Sequence, residues 1–197
     1  MRKLDHTNAE ELYEILTNPD LNQDRMQHSG SGCYRDAFLF TSDIDGGEYI
    51  LKVPCLDETE PRDKEENLKH AREEFAKYQR AERTGIKDIL IPIISFYDEE
   101  GATVVPLAHV DEASCGSAYI YEGIEAYDEI SAKIEDSEGG IALEILAELG
   151  FEFEEAIEMA LDFQSKIDRS VEYLHDLHNG NIGFYNDRIV VIDYGFE

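Results

Sequence analysis

Basic residues are scarce in this chain. Its 197 residues carry 17 Lys and Arg against 45 Asp and Glu, a formal net charge of −28. A surface of that sign repels phosphate backbones, which argues against generic nucleic-acid binding and against docking on an anionic membrane. The acid is spread along the chain rather than gathered in one block, so the simplest account is a solvated face on many elements. Adaptation to high salt, attraction to a basic partner and mimicry of a nucleic acid are the sharper alternatives. Cysteine is also sparse: Cys33, Cys55 and Cys115 are odd in number and far apart, which excludes a zinc pattern and a disulfide framework. No long apolar run exists, since Ile89–Tyr97 is too short to span a bilayer and contains Pro92. Met1-Arg2-Lys3 leads into a polar stretch and not into a secretory signal. Repeats and low-complexity linkers are absent. The expectation is a soluble, cytoplasmic protein. A 42% hydrophobic content is enough to build a core and excludes a disordered acidic tail.

The pattern of elements is strand-rich first and helical later. Ala9–Leu16 reads as a short helix with Asn8 as its cap and Pro19 beyond its end. Gly30-Ser31-Gly32 precedes Ala37–Phe40, a strand, and Glu48–Val53 reads as its return partner after the turn Asp43–Gly47. The acidic spacing of that turn resembles a calcium loop but lacks the later bidentate Glu, so a plain turn is the better reading. Asp63–Arg83 has no Gly or Pro and is rich in Glu, Lys, Arg and Ala, which predicts a helix with Leu68, Ala71, Phe75 and Tyr78 on its core face. Ile89–Phe96 and Ala102–Leu107 are expected as strands around Glu99-Glu100-Gly101. Gly123–Tyr173 reads as mostly helical, with one long amphipathic segment over Phe153–Leu174. A polar loop, Asp176–Asn181, then leads to a turn at Asn186-Asp187 and the strand Ile189–Ile192. The fold class is therefore α+β in two lobes.

The chemistry is concentrated near the end of the chain. In Asp176-Leu177-His178-Asn179-Gly180-Asn181-Ile182 an Asp is followed five positions later by an Asn. Twelve positions further on, Asp193 ends an apolar strand and is followed by Tyr194-Gly195. Phosphoryl transfer needs a carboxylate at the acceptor hydroxyl and oxygen ligands that hold magnesium against the nucleotide phosphates. A hairpin that gathers Asp176, Asn181 and Asp193 supplies those groups.

This constellation resembles the catalytic loop and magnesium motif of the protein-kinase-like superfamily, H-R-D-x-x-x-x-N followed by D-F-G. In detail it is closer to the D-x-H-x-x-N-I form of aminoglycoside phosphotransferases, RIO-type and other atypical kinases, and it is similar to short kinase-like proteins of bacteriophages. The resemblance implies a two-lobed fold: a helical extension over residues 1–27, an antiparallel-sheet N-lobe with one helix over 28–110, and a minimal helical C-lobe over 111–197. It further implies that Gly30, Ser31 and Gly32 form a phosphate-binding loop and that Lys52, within Tyr49-Ile50-Leu51-Lys52-Val53, holds the α/β-phosphates of ATP. A carboxylate on the helix would orient Lys52. Glu74 is the choice because Tyr78 lies one turn on, with Glu73 as the alternative. Asn181 and Asp193 would bind Mg2+, and Asp176 would position the acceptor hydroxyl and take its proton.

The chain departs from the pattern at several points. Arg35 stands where a third glycine is expected, to contact phosphate or to narrow the loop. Leu174 occupies the usual His position, and His178, where a Lys is common, has a phosphate-neutralising and a structural reading. The sequence ends two residues after Gly195, with no activation segment. Three functions remain open. The first is an ATP- and magnesium-dependent phosphotransferase acting on a protein hydroxyl or a small molecule, a basic protein surface being the preferred acceptor. The second is a kinase-fold binding protein that sequesters a basic partner. The third is a nucleotidyl transferase.

Overall fold

The computed structural model describes residues 26–31, 35–42, 45–54, 64–84, 86–110, 121, 137–170, 174 and 177–193. The helix expected at Ala9–Leu16, the three cysteines, Gly32 and Asp176 lie outside these residues. The chain divides into two compact units, one of residues 1–76 and 92–107, the other of 77–91 and 108–197. Among the described residues no helix is long and apolar enough to cross a membrane.

The first unit is built on a five-stranded antiparallel sheet in the order β1-β2-β3-β5-β4. Its strands are β1 (Met26–Ser31), β2 (Arg35–Thr41), β3 (Glu48–Pro54), β4 (Ser95–Tyr97) and β5 (Ala102–Pro106). Strand β1 was not expected: Gln27-His28-Ser29 is polar and largely exposed, so no apolar alternation marks it. Backbone pairing with β2 makes it a strand, with a register shift between His28 and Gly30. Of the expected turn Asp43–Gly47, Asp43 and Ile44 lie outside the described residues; the Gly46 N–H donates to the Ser42 carbonyl and the Ser42 N–H to the Gly47 carbonyl, both at 2.9 Å. Both carboxylate oxygens of Asp45 are used locally, accepting from the Gly47 N–H at 2.8 Å and the Tyr49 hydroxyl at 2.7 Å.

Register sorts the sheet into two unlike faces, because side chains alternate along each strand. Phe40, Tyr49, Leu51, Ala102 and Val104 share one face and form an apolar core. The other face carries Ala37, Lys52 and Thr103 in one cross-strand row, with Arg35 two residues from Ala37. Helix α1 (Lys64–Thr84) lies against this second face: Phe75 stacks on Phe96 with ring centroids 4.5 Å apart, and Arg72 pairs with Asp98 at 2.6 Å. Helix α1 forms because it lacks Gly and Pro, starts with Glu65 and Glu66 and ends with Arg83, a charge order suited to the helix dipole. Its inner face differs from the expected one. Ala71 is buried, but so are Asn67, His70 and Glu74, while Leu68, Phe75 and Tyr78 are only half-buried. The sheet face it meets holds two cations, so a polar row is what matches it.

Ile89–Phe96 is not one strand. Pro92 has no N–H to give a ladder, and the run divides around it. Lys87–Ile89 is a 3-10 turn, the Ile91 N–H donates to the Val191 carbonyl at 2.9 Å, and only Ser95–Tyr97 joins the sheet. The β4–β5 turn falls at Glu99-Glu100-Gly101, as expected. Gly101 has φ +67° there, a conformation that side-chain-bearing residues rarely adopt, so the turn favours glycine.

The second unit contains helices α2 (Glu138–Glu148) and α3 (Phe153–Asp168) and the hairpin β6 (Ile182–Phe184) and β7 (Ile189–Val191). Helix α3 buries Phe153, Ala156, Ile157, Ala160, Phe163 and Ile167 at helical spacing. It stops at Asp168 instead of running to Leu174. The Ser170 hydroxyl donates to the Lys166 carbonyl at 2.6 Å, and Arg169 Nε donates to that of Ser165 at 2.8 Å, so side chains take up the last carbonyls. Gln164 of α3 caps α2 by accepting from the Gly139 N–H at 2.6 Å. The β6–β7 turn uses Asn186 and Asp187 at φ 51° and 60°, the left-handed pair that a tight hairpin needs.

Candidate functional site

In the first unit, three ionised side chains meet beneath the sheet. Lys52 enters from β3, Glu74 from α1 and Arg35 from the start of β2. Glu74 Oε1 accepts a hydrogen bond from Lys52 Nζ at 3.3 Å, and Glu74 Oε2 lies 2.6 Å from Arg35 Nη1. The same Arg35 nitrogen donates to Thr103 Oγ1 on β5 at 2.8 Å. Side-chain exposures are 3% for Glu74, 8% for Lys52 and 11% for Arg35. Lys52 is therefore not a strand lysine reaching out to solvent. Glu73, the alternative carboxylate, faces outward and lies 3.9 Å from Lys69.

Burial on its own pushes the Glu74 carboxyl up, because it penalises the charged form. The attraction of Arg35, then of Lys52, outweighs it and brings the carboxyl from 4.5 down to about 2. Burial also holds the His70 imidazole, one turn earlier, below its ordinary value. A carboxyl depressed on folding contributes stability above its unfolded value, and that contribution disappears as pH falls through the folded one. The protein should therefore lose about 3 kcal/mol, at about 1.4 kcal/mol per unit, between roughly pH 5 and pH 2. Denaturant melts across that range should show the slope in wild type. Glu74→Gln should flatten it; an unchanged slope would place the lost stability elsewhere.

Gly30 and Ser31 lie at the end of β1, paired with Ala37 and Asp36. The Ser31 hydroxyl donates to Asp36 Oδ1 at 2.6 Å and lies 3.0 Å from His28 Nε2, so it belongs to the face opposite Lys52. Gly30 is not in the left-handed region, and a Cβ built there meets nothing within 4 Å. The fold does not demand a glycine at this position. On the Lys52 face, Ala37, Leu39 and Ile50 stay half-buried, while their neighbours on the opposite face, Phe40, Tyr49 and Leu51, are buried.

In the second unit, the β6–β7 hairpin sets Asn181 and Asp193 at its open end. Ile182 pairs with Val191, and the Ile192 N–H donates to the Asn181 carbonyl at 2.8 Å, so Asn181 and Asp193 flank adjoining strand ends. Asn181 closes a 3-10 turn, Asn179–Asn181, which His178 caps: its Nδ1 accepts from the Gly180 N–H at 3.1 Å. That bond gives His178 a structural role in the loop. Among the described residues no group of three or more His, Cys, Asp or Glu could hold a metal ion.

No protein-family model matches the chain, and no curated protein does. Among solved structures it is similar to the crystal structure of the Rio2 kinase–ADP/Mg2+–phosphoaspartate complex from Chaetomium thermophilum, with 14% identity and a TM-score of 0.41. The match covers 92% of this chain and 51% of that one, so the chain spans about half the length of that structure.

Sequence reasoning did not identify Arg35 as a partner of Glu74. The available signal was parity: Arg35 and Ala37 share a strand face, and Ala37 is the register partner of Lys52. Reading it required the pairing of β2 with β3, which no local pattern states.

Proposed function

We propose that this protein is an ATP- and magnesium-dependent phosphotransferase, with its two units as the lobes of a protein-kinase-like fold. The observation that carries the reading is the buried Lys52–Glu74 pair joining β3 to α1. Burying two ions costs several kcal/mol each in desolvation, and apolar residues of the same volume serve stability equally well. A lysine kept in such a place is accounted for by an anionic ligand. Three further features fit. The half-buried Ala37, Leu39 and Ile50 offer an apolar surface beside Lys52 for a nucleobase. Gly30 leaves open space where phosphate can approach backbone N–H groups. Asn181 and Asp193 supply the oxygen donors that Mg2+ prefers, and this ion completes its shell with water and substrate phosphates rather than with an all-protein cage.

In this reading Lys52 holds the α/β-phosphates and Glu74 orients Lys52. Ser31 contributes only its backbone, its hydroxyl being engaged by Asp36. Asn181 and Asp193 hold the magnesium, which when bound neutralises charge on the phosphates. Asp176 accepts the proton of the acceptor hydroxyl as that oxygen bonds to the γ-phosphorus. The bond from the γ-phosphorus to the β,γ-bridging oxygen breaks, and ADP leaves. Catalysis comes from position and charge, without a covalent enzyme intermediate. The acceptor we favour is a hydroxyl on a protein with a basic surface, given the net charge of −28.

The test is incubation with magnesium and ATP labelled separately at the α- and γ-phosphate, with a host lysate as acceptor. Transfer of γ-label supports the proposal. Transfer of α-label would make the protein a nucleotidyl transferase, and transfer of neither would leave a binding protein.

Three variants separate ligand binding from folding. Mg-ATP at ~100 times its dissociation constant should stabilise wild type by about 2.7 kcal/mol, and Lys52→Met and Asp193→Asn should each reduce the resulting rise in Tm. Gly30→Ala should leave the unliganded Tm unchanged or raise stability by about 0.4–1 kcal/mol, while shrinking the rise with Mg-ATP. A destabilised Gly30→Ala that still responds fully to nucleotide would make Gly30 a structural glycine.

A further inference from the structure

A single guanidinium ties three elements of the first unit together. Arg35 starts on β2, crosses beneath β3, and places Nη1 2.8 Å from Thr103 on β5 and 2.6 Å from Glu74 on α1. Lys52 lies farther from the same carboxylate, at 3.3 Å. A guanidinium is planar, stays charged at any working pH and offers several fixed donors, so it can serve two acceptors at once. An ammonium on a flexible stem is a poorer anchor.

We propose that Arg35 is a positioning residue: it fixes Glu74, and through Glu74 the Lys52 ammonium, so that the site stands assembled before any ligand binds. What Lys52 then does rests on the phosphotransferase reading; the clamp itself does not. The two carboxylate oxygens are divided, Oε2 to Arg35 and Oε1 to Lys52. Loss of Lys52 therefore leaves α1 tethered to the sheet, whereas loss of Arg35 leaves Lys52 alone to hold a buried helix carboxylate. Among the described residues, the charged groups facing Glu74 from other elements are Arg35 of β2 and Lys52 of β3, while β5 contributes the neutral Thr103. On its own helix, His70 is buried one turn away, and Glu73 points outward.

The experiment is a carboxyl-carbon NMR titration of the full chain, with the Glu74 signal assigned by its loss in Glu74→Gln. Arg35→Met should raise the Glu74 midpoint by about 1–3 pH units, and Lys52→Met by less than half as much. Arg35→Lys, which keeps the charge but not the fork, should recover part of the shift. Thr103→Val removes the second anchor of the guanidinium without changing charge, and it keeps the test open if Arg35→Met does not fold. It should raise the midpoint by less than Arg35→Met and leave the Tm near that of wild type.

The proposal is overturned if Lys52→Met moves the midpoint more than Arg35→Met does. It also fails if both Arg35→Lys and Thr103→Val leave the midpoint where it was. Thermal shifts with Mg-ADP give a second readout: Arg35→Met should lose most of the wild-type shift and Arg35→Lys should regain part of it, a rescue that mere packing would not produce. If wild type shows no shift with Mg-ADP, the phosphotransferase reading fails, and the titration still decides the clamp.

Discussion

Asp176→Asn should lower γ-phosphoryl transfer by about 10²- to 10⁴-fold, the usual contribution of a positioned general base. Nucleotide affinity should change little, because in the proposed mechanism Asp176 meets the acceptor hydroxyl and not the phosphates. Asparagine keeps the side-chain shape, and a thermal melt would confirm folding. Asp193→Asn should behave differently, weakening magnesium-dependent nucleotide binding together with turnover, since it removes an anionic oxygen suited to a hard cation. The decisive measurement is the contrast: kcat and the apparent Kd for Mg-ATP in both variants, with the same acceptor. Equal loss of affinity in both would remove Asp176 from the acceptor side. Unchanged transfer in both would remove the terminal constellation from catalysis altogether.

Glu74→Ala should destabilise the protein by about 3–5 kcal/mol, the cost of breaking a buried ion pair from one side. The size follows from what stays behind. Arg35 and Lys52 are almost fully buried, and without the carboxylate two cations face each other beneath the sheet. Glu73→Ala, one residue away, should change stability by no more than about 0.5 kcal/mol. Glu73 is partly exposed and lies 3.9 Å from a well-exposed Lys69, and exposed pairs of that kind contribute little. Chemical denaturation of the two variants side by side would measure the difference. Comparable effects at both positions would mean that the row of charges does not hold α1 to the sheet.

How much of this was legible beforehand depends on whether the signal is local. The helix over Lys64–Thr84 announced itself by composition, and the β4–β5 turn by Gly101. The β6–β7 hairpin was half visible, since Asn186-Asp187 marked its turn and Ile189–Ile192 its second strand. By contrast, β1 carries no apolar alternation, and its identity as a strand comes from pairing with β2. Ile89–Phe96 looked continuous because its composition is continuous. Only the separate partners of its two ends, Val191 for Ile91 and Val104 for Ile94, divide it around Pro92.

The candidate site divides in the same way. The resemblance to kinase-like motifs nominates Lys52, Glu74 or its neighbour Glu73, Asn181 and Asp193 as candidates, because such motifs are read from residue types and intervals along the chain. The sequence also determines the acidity of the chain, since charge is additive and needs no geometry. What only the tertiary structure decided is which of two adjacent carboxylates turns inward, and that Glu74 is shared between Lys52 and Arg35. A helix rotates its side chains by about 100° per residue, so neighbours in sequence face different surroundings. Which of those is the interior depends on where the sheet lies. The pairing of β2 with β3, and of β3 with β5, sets Arg35, Lys52 and Thr103 on one face. That pairing joins residues far apart in the chain, and it turns a polar row on α1, which periodicity reads as solvent-facing, into the side that is buried.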